Sequence, residues 1–186
     1  DGRLRDDGIY DDRKQIFHYR PRLIKELRTR AMRGVPLPDT RYNEWLLLHC
    51  PSLYSECVVT IKRYADALDA VCPGFSFYDR ISVAHADDTH VLRLLAYDKD
   101  SARGKGHKDK NFLTIHIAES HPGLRTGDEH TLFAAHQGEA LLFFGEKAER
   151  LTSGKVKALW HEVTDERPAG DTNSRWSMVF FGHIVL

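Results

Sequence analysis

The feature that most constrains the fold is a change in the spacing of apolar residues along the chain. Over 21–33 and 53–71 they recur three and four positions apart, as on one face of an α-helix. From about residue 80 they alternate with polar residues, as on a strand with one buried face. We therefore predict two helices, with Pro21 in the first turn of one and Ser52 capping the other, followed by strands.

The alternating segments predict six strands, separated by loops rich in Gly, Asp and Lys. They are 91–97, 112–117, 131–135, 139–144, 156–163 and 175–184. Short strands with regular turn signals indicate a sandwich or a barrel. For 186 residues we expect a single domain over 1–186. In it a mainly helical part, 1–79, would pack against an all-β core, 80–186. Residues 1–17 are charged and are predicted to be irregular.

Composition excludes several classes of protein. The 27 basic and 27 acidic residues cancel, whereas nucleic-acid-binding domains are usually strongly basic. No apolar run is long enough to cross a bilayer, so neither nucleic acid nor membrane is an expected partner. Cys50, Cys57 and Cys72 form no C-x-x-C pair, which favours a reducing cytosol over a disulfide framework. We predict a cytoplasmic protein, and the sequence leaves its oligomeric state open.

A candidate metal site lies in the stretch GHKDKNFLTIHI, residues 106–117. Residues two apart on a strand point to the same face, so His107 and Asp109 can aim an imidazole and a carboxylate at one point. A distant His would complete a 2-His-1-carboxylate set, which suits Fe(II) with open coordination positions. His161, on the strand-like segment VKALWHEV, is the natural third ligand.

The chain has 11 His residues, so H-x-D patterns also arise by chance. A second one, His85–Asp87, competes with His107 and Asp109, and spacing alone favours neither. The remaining histidines that we considered are predicted to lie at the surface or at the edge of the core. They are His90, His116, His121, His130, His136 and His183.

Several segments, taken in order, resemble one known family. They are VLRLLAY at 91–97, GHKDKNFLTIHI at 106–117, GL at 123–124, GEALLFFGE at 138–146, LTSGKVKALWHEV at 151–163 and RWSMVFF at 175–181. The series is similar to the 2-oxoglutarate- and Fe(II)-dependent dioxygenases of the isopenicillin N synthase-like group. Each motif is weak alone, but their combination over about residues 85–184 is specific.

The resemblance implies a double-stranded β-helix, or jelly roll, with helices supporting one sheet. It also implies that His107, Asp109 and His161 are the metal ligands, because the family has no ligand at His85–Asp87. Arg175 and Ser177 match the family's R-x-S, which holds a carboxylate. A planar guanidinium can hold a carboxylate through two parallel hydrogen bonds, and a serine on the same strand face can add a third.

Other matches and departures concern the surroundings of this site. Tyr97 matches a family tyrosine that often lies near the co-substrate; a packing role at the edge of the core is the alternative. Trp160 should point to the sheet face opposite His161, and Lys108 should point away from the metal. Leu95 replaces a family asparagine. The N-terminal region, which usually helps to cover the substrate, is shorter than in the plant enzymes, so the resemblance does not identify the substrate.

The implied activity is a dioxygenase reaction with Fe(II) as cofactor and 2-oxoglutarate as co-substrate. A small-molecule substrate and dioxygen would be its partners, and hydroxylation is the expected outcome, with desaturation or ring closure as variants. Two alternatives remain. One is an Fe(II) oxidase of the isopenicillin N synthase type, which does not use 2-oxoglutarate. The other is a non-catalytic jelly-roll binding module.

Overall fold

The computed structural model describes two compact units. Described are residues 14–35, 43–97, 104–134, 138–164, 166, 170 and 173–186. The helical unit comprises Tyr19–Leu92 and Gly182–Leu186, and the sheet unit comprises Arg93–Phe181 with the described residues up to His18. None of the helices in these ranges is both long and apolar enough to cross a membrane.

The described residues of the helical unit form three helices: α1 (Pro21–Met32), α2 (Asn43–Val71) and α3 (Phe77–Ala86). One face of α2 is buried; its buried residues are Cys50, Tyr54, Cys57, Val58, Ile61, Ala65 and Leu68. Asp69 of α2 accepts hydrogen bonds from the first two backbone N–H groups of α3, at 2.6 and 2.9 Å. This carboxylate satisfies donors that the start of a helix leaves unpaired.

The predicted helix at 21–33 is confirmed, but two predictions for the helical unit were wrong. Helix α2 begins at Asn43, so Ser52 lies inside it and caps nothing, and Pro51 is accommodated within the helix. Cys50, which precedes Ser52, is already buried, and burial of an apolar face outweighs the local cost of a proline. The alternation expected from residue 80 begins only at β2, because Phe77, Ile81 and Ala84 form the buried face of α3.

The described strands form two β-sheets. In chain order the strands are β1 (Lys14–Tyr19), β2 (Val91–Tyr97), β3 (Gly104–Lys108), β4 (Leu113–Glu119), β5 (Leu124–Thr126), β6 (Thr131–Phe133), β7 (Leu141–Phe144), β8 (Trp160–Val163) and β9 (Arg175–Gly182). The first sheet has the order β1-β2-β9-β4-β7 and the second the order β3-β8-β5-β6. The pairs β3–β8, β4–β7, β5–β6 and β5–β8 are antiparallel.

The boundaries of two strand segments, 14–17 and 156–163, differ from the predictions. Residues 14–17, expected to be irregular, belong to β1 at the edge of the five-stranded sheet. The strand predicted at 156–163 begins only at Trp160. The N–H groups of Val156 and Ala158 donate to Thr152 Oγ1 and to a carboxylate of the short helix α4 (Glu146–Leu151) instead of to a neighbouring strand.

Candidate active site

Three side chains of the ligand type meet in the sheet unit. His107 lies on β3, Asp109 follows the end of that strand, and His161 lies on β8. His107 and His161 are direct partners in the antiparallel pairing of these strands. Asp109 Oδ1 is 3.4 Å from His107 Nε2 and 3.8 Å from His161 Nε2. One ligand atom from each residue lies within 4.8 Å of the other two, a separation that one metal ion can bridge.

The two imidazoles are oriented by backbone carbonyl groups nearby in sequence. His107 Nδ1 is 2.7 Å from the carbonyl oxygen of Lys105, and His161 Nδ1 is 3.3 Å from that of Leu159. A carbonyl only accepts, so each Nδ1 carries the proton and donates. Each Nε2 therefore keeps a lone pair directed towards Asp109, which is the arrangement that metal-binding histidines adopt.

Asp109 is ionised and held in place although it is mostly buried. Burial raises its pKa, but the His107 side chain 3.4 Å away, the hydrogen bond from Thr114 and the nearby imidazole of His161 outweigh this and hold the pKa below its ordinary value. Thr114 Oγ1 donates to Asp109 Oδ2 at 2.6 Å and is itself hydrogen-bonded to Asn111. The carboxylate thus stays anionic, with Oδ1 facing both imidazoles.

The backbone of Asp109 is fixed by the start of α4. The N–H of Glu146 donates to the Asp109 carbonyl oxygen at 2.7 Å. A Cβ atom at Gly145 would lie 2.7 Å from that oxygen and 2.3 Å from the carbonyl oxygen of Asn111. Only glycine permits this close approach. The Gly-Glu pair that ends GEALLFFGE, Gly145 and Glu146, therefore has a structural role: both residues contact the backbone of Asp109 and hold it in place.

His161 is suited to bind a metal ion at neutral pH. Burial lowers the pKa of His161; Asp109 opposes this, and His107 adds to it. The result is a pKa below the ordinary value for His, so the imidazole is neutral near pH 7 and its lone pair is available. Its ring packs against Phe143 at a centroid distance of 5.0 Å, which restricts its orientation.

The three side chains line a cavity of about 110 Å³ in the sheet unit. Arg175 and Ser177 of β9 and Tyr97 of β2 line the same cavity and are buried. The guanidinium carbon of Arg175 lies 5.7 Å from the centre of the Tyr97 ring. Apolar side chains contribute the rest of the lining, among them Ile16, Leu95, Leu124, Phe143, Val163, Val179 and Phe181.

Arg175 forms an ion pair that the sequence did not predict. Its Nη2 donates to Oε2 of Glu119, the last residue of β4. Among the described residues, Arg175 Nε and Nη1 are buried and have no hydrogen-bond partner. Unpaired buried N–H groups are costly, and a carboxylate is the acceptor that a guanidinium binds best. The unpaired donors of Arg175, which lines the cavity, therefore fit a ligand carboxylate.

The competing H-x-D pattern does not form a site. His85 lies on helix α3 and Asp87 follows its end. Helical residues two apart do not face each other, so this pair cannot chelate as a strand pair does. Trp160 and Lys108 are directed as predicted. Trp160 covers Gly106, where a Cβ atom would be 2.0 Å from its ring, and Lys108 Nζ is 3.4 Å from a Glu149 carboxylate oxygen on α4.

Two of the other histidines depart from the predicted surface or core-edge position. His90 is fully buried in the helical unit, where its Nδ1 accepts a hydrogen bond from the backbone N–H of His183. His116 is buried and lines the cavity. His121 and His183 are partly exposed and His130 is exposed, as predicted, and His136 lies outside the described residues.

The two-sheet fold and the converging His-Asp-His set agree with a single protein family. Residues 86–184 match the sequence profile of the 2OG-Fe(II) oxygenase superfamily, and the chain belongs to this family. The Fe(II) and 2-oxoglutarate predicted as cofactor and co-substrate are those for which the family is named, and the His-Asp-His set fits the iron site. A search of curated protein sequences gave no match.

Solved structures share the fold at low sequence identity. A full-length Neurospora crassa protein, in complex with α-ketoglutarate (2-oxoglutarate) and thymine, gives a TM-score of 0.65 at 16% identity, over 95% of this chain and 55% of its own. The dioxygenase for auxin oxidation 1 from Arabidopsis thaliana, with 2-oxoglutarate, gives 0.62 at 14%, over 93% and 64%. JOX2, with 2OG, Fe and JA, gives 0.68 at 17%, over 99% and 54%.

This chain therefore spans between one half and two thirds of the length of these three proteins. The predicted fold class, mainly β with flanking helices and a jelly-roll core, is confirmed. The support of one sheet by the helices stays a prediction, as do the metal-binding and co-substrate roles of the individual residues.

Sequence reasoning missed two residues of the site. Thr114 had a signal, because it is the threonine of the L-T pair that follows H-x-D in the family pattern, and its hydroxyl holds Asp109. Glu119 had none. It is a charged residue at a strand end, and only the pairing of distant strands shows that its carboxylate meets Arg175.

Proposed function

We propose that this protein is a non-haem Fe(II)- and 2-oxoglutarate-dependent dioxygenase that oxidises, most simply by hydroxylation, a small organic molecule. The observation that carries the proposal is the arrangement of the cavity. A His-Asp-His set with converging ligand atoms lines it together with a buried arginine that has unpaired donors. These are the two groups of residues that a metal-chelating 2-oxo dicarboxylate needs.

His107, Asp109 and His161 would hold Fe(II). The two imidazoles contribute neutral Nε2 atoms, and Asp109 contributes one negative charge, so the set offers three ligands and leaves coordination positions open. Thr114 and the carbonyl groups of Lys105 and Leu159 keep these ligands in orientation. Such partners of metal ligands commonly change metal affinity by about 10–100-fold when they are removed.

Arg175, Ser177 and Tyr97 would bind the co-substrate. Arg175 supplies charged donors for its distal carboxylate, and Ser177, two positions along β9, supplies a hydroxyl on the same face. The Tyr97 ring lies against the guanidinium and restricts its movement. Burial of all three excludes water from the carboxylate, which strengthens each hydrogen bond.

When bound, the iron and 2-oxoglutarate supply the oxidation: dioxygen and 2-oxoglutarate yield succinate and carbon dioxide, and one oxygen atom passes to the substrate. The chain's own residues position the reactants and exclude competing reactions. The apolar lining, including Val179 and Phe181, favours a substrate with an apolar portion. The Neurospora crassa protein was solved with thymine, and we expect a substrate of similarly small size here.

The test is an anaerobic titration of Fe(II) into metal-free protein, with and without 2-oxoglutarate, that monitors the weak visible charge-transfer band of the chelate. The band is expected only when both are present. It should disappear in His107→Ala and weaken in Arg175→Ala. His130→Ala is the matched control, because His130 is an exposed histidine that pairs with Glu162 and does not line the cavity.

Two results would contradict the proposal. Stoichiometric iron binding without a band at saturating 2-oxoglutarate would favour the Fe(II) oxidase that does not use this co-substrate. No stoichiometric iron binding would leave the non-catalytic binding module. Succinate formation, followed by mass spectrometry against a panel of small molecules, then identifies the substrate.

A further inference from the structure

Glu119 is placed to act on Arg175 from outside the cavity. The Arg175 and Glu119 side chains are 1% and 5% exposed, so their ion pair is shielded from water. Glu119 is not among the residues that line the cavity, whereas Arg175 is. Any effect of Glu119 on a ligand in the cavity would therefore pass through the guanidinium.

The backbone keeps the two side chains together. The N–H of Ser120 donates to the carbonyl oxygen of Trp176 at 2.9 Å, and the N–H of Trp176 donates to Ser120 Oγ at 3.0 Å. These bonds join the residues next to Glu119 and Arg175 in sequence. The ion pair is thus a fixed part of the sheet, with the His116 imidazole Nε2 also 3.3 Å from Glu119 Oε2.

The ion pair changes the electrostatic environment of a ligand carboxylate in the cavity. A lone buried guanidinium would present a full positive charge, and its attraction for an anion would be strong because little water screens it. With Glu119 bound to Nη2, the charge is already balanced, while Nε and Nη1 remain as donors. An entering carboxylate gains these hydrogen bonds but lies close to a second carboxylate, and like charges in one site repel.

We propose that Glu119 is a specificity-determining residue that restrains the affinity of Arg175 for the distal carboxylate of a dicarboxylate co-substrate. It does so by supplying a built-in counter-charge, and it thereby reduces the preference for 2-oxoglutarate over a 2-oxo acid without a distal carboxylate. This inference rests on the proposed function, because it takes Arg175 as the carboxylate anchor.

The experiment compares two ligands with Fe(II)-loaded protein under anaerobic conditions, by calorimetry and by the chelate band. 2-Oxoglutarate has the distal carboxylate, and 2-oxopentanoate has the same length and chelating end without it. Glu119→Gln keeps an oxygen acceptor for Arg175 and removes the charge. We expect it to bind 2-oxoglutarate about tenfold more tightly than the wild type, with 2-oxopentanoate changed by less than about twofold.

Stability gives a second measurement. Glu119→Gln leaves a buried guanidinium without its counter-charge, so the variant should melt at a lower temperature than the wild type. 2-Oxoglutarate should then raise its Tm by more than it raises that of the wild type, because the ligand supplies the missing charge. Glu119→Asp, which keeps the charge and withdraws it by one methylene, should bind 2-oxoglutarate with an affinity between those of the other two proteins.

Three results would overturn the inference. Weaker binding of 2-oxoglutarate by Glu119→Gln would mean that the carboxylate orients Arg175 and nothing more. Unchanged binding, with Glu119→Asp equal to wild type, would leave Glu119 a structural ion pair. Equal changes for both ligands would place the effect at the metal. If iron binds but neither ligand gives a band in any of the proteins, the proposed function itself fails, a result distinct from the other three.

Discussion

Two groups of side chains that line the cavity are held in place in different ways, and they are called the metal end and the anchor end. At the metal end, formed by His107, Asp109 and His161, each imidazole is oriented by a carbonyl group two residues before it, and Asp109 is held by a threonine five residues after it. At the anchor end, formed by Arg175, Ser177 and Tyr97, the guanidinium is held by the carboxylate of Glu119, which is 56 positions away and does not line the cavity.

The metal end is therefore held by residues near in sequence, whereas the anchor end is held by a residue far away in sequence. Interactions between near neighbours are present whenever the strand forms, so they leave a motif in the sequence. The Arg175–Glu119 pair exists only because β9 and β4 are neighbours in the sheet. We expect a change in a single residue of the metal end to abolish Fe(II) binding, and a change in charge at the anchor end to alter the affinity for 2-oxoglutarate.

The largest expected effect is loss of the metal end. His161→Ala should abolish stoichiometric Fe(II) binding and reduce turnover to background, because two remaining ligands on one strand segment hold the ion poorly. Iron content after desalting and succinate formation measure this. His130→Ala should retain both, and a His161→Ala protein with full iron content would show that the metal lies elsewhere.

Arg175→Gln should separate the anchor end from the metal end. We expect about a hundredfold weaker binding of 2-oxoglutarate, because charge-assisted hydrogen bonds to the carboxylate are lost, with Fe(II) affinity nearly unchanged. Calorimetric titrations of each component measure the two affinities. The variant also leaves Glu119 buried without its partner, so its Tm should fall. A parallel loss of iron binding would disprove the independence of the two ends.

Thr114→Val should weaken the metal end without removing a ligand. Val has the shape of Thr but no hydroxyl, so Asp109 loses a hydrogen bond that lowers its pKa. The pKa of Asp109 should rise, protons should compete with the metal at higher pH, and the acid limit of metal binding should move upwards. At neutral pH we expect about tenfold weaker metal binding. Fe(II) affinity measured across the acid and neutral pH range tests this, with Thr114→Ser, which keeps the hydroxyl, as the control.

Ser177→Ala tests the anchor end with a milder change. A neutral hydroxyl contributes less than a guanidinium, so we expect binding of 2-oxoglutarate to weaken by about two- to tenfold. The affinity for 2-oxopentanoate should stay the same, since this ligand has no distal carboxylate. A change for both ligands would assign Ser177 to general packing of the cavity rather than to the anchor.

Lys108→Met should have the smallest effect. Although Lys108 lies between two candidate ligands in sequence, its ammonium group is directed to Glu149 on α4 and is partly exposed. Metal and 2-oxoglutarate affinities should change by less than about twofold, as for other exposed ion pairs. Lys110→Met, at an exposed neighbouring position, is the matched control. A large change in metal affinity for Lys108→Met alone would show that the intervening residue shapes the metal end.

The sequence by itself predicted the three side chains of the metal end and much of the fold. Alternation of apolar residues located six of the nine strands in the described part of the chain, with 91–97 matching β2 in full. His107, Asp109 and His161 could be named because strand geometry fixes where residues two apart point, and because the ordered motifs distinguished them from His85–Asp87. Ser52, expected to cap a helix, shows the limit, since local signals yielded to the burial of α2.

Only the tertiary structure decided the burial and the charge pairing of the anchor end. Whether Arg175 is a surface residue or a buried donor depends on which strands lie beside β9. Local sequence patterns do not predict the order of strands in a sheet. The environment of Glu119 also depends on strand order. Its charge alone predicts a solvated strand end, but because β4 lies next to β9, its carboxylate pairs with Arg175. The physical reason is that side-chain periodicity reports which face a residue occupies, whereas burial and charge pairing depend on elements far away in the chain.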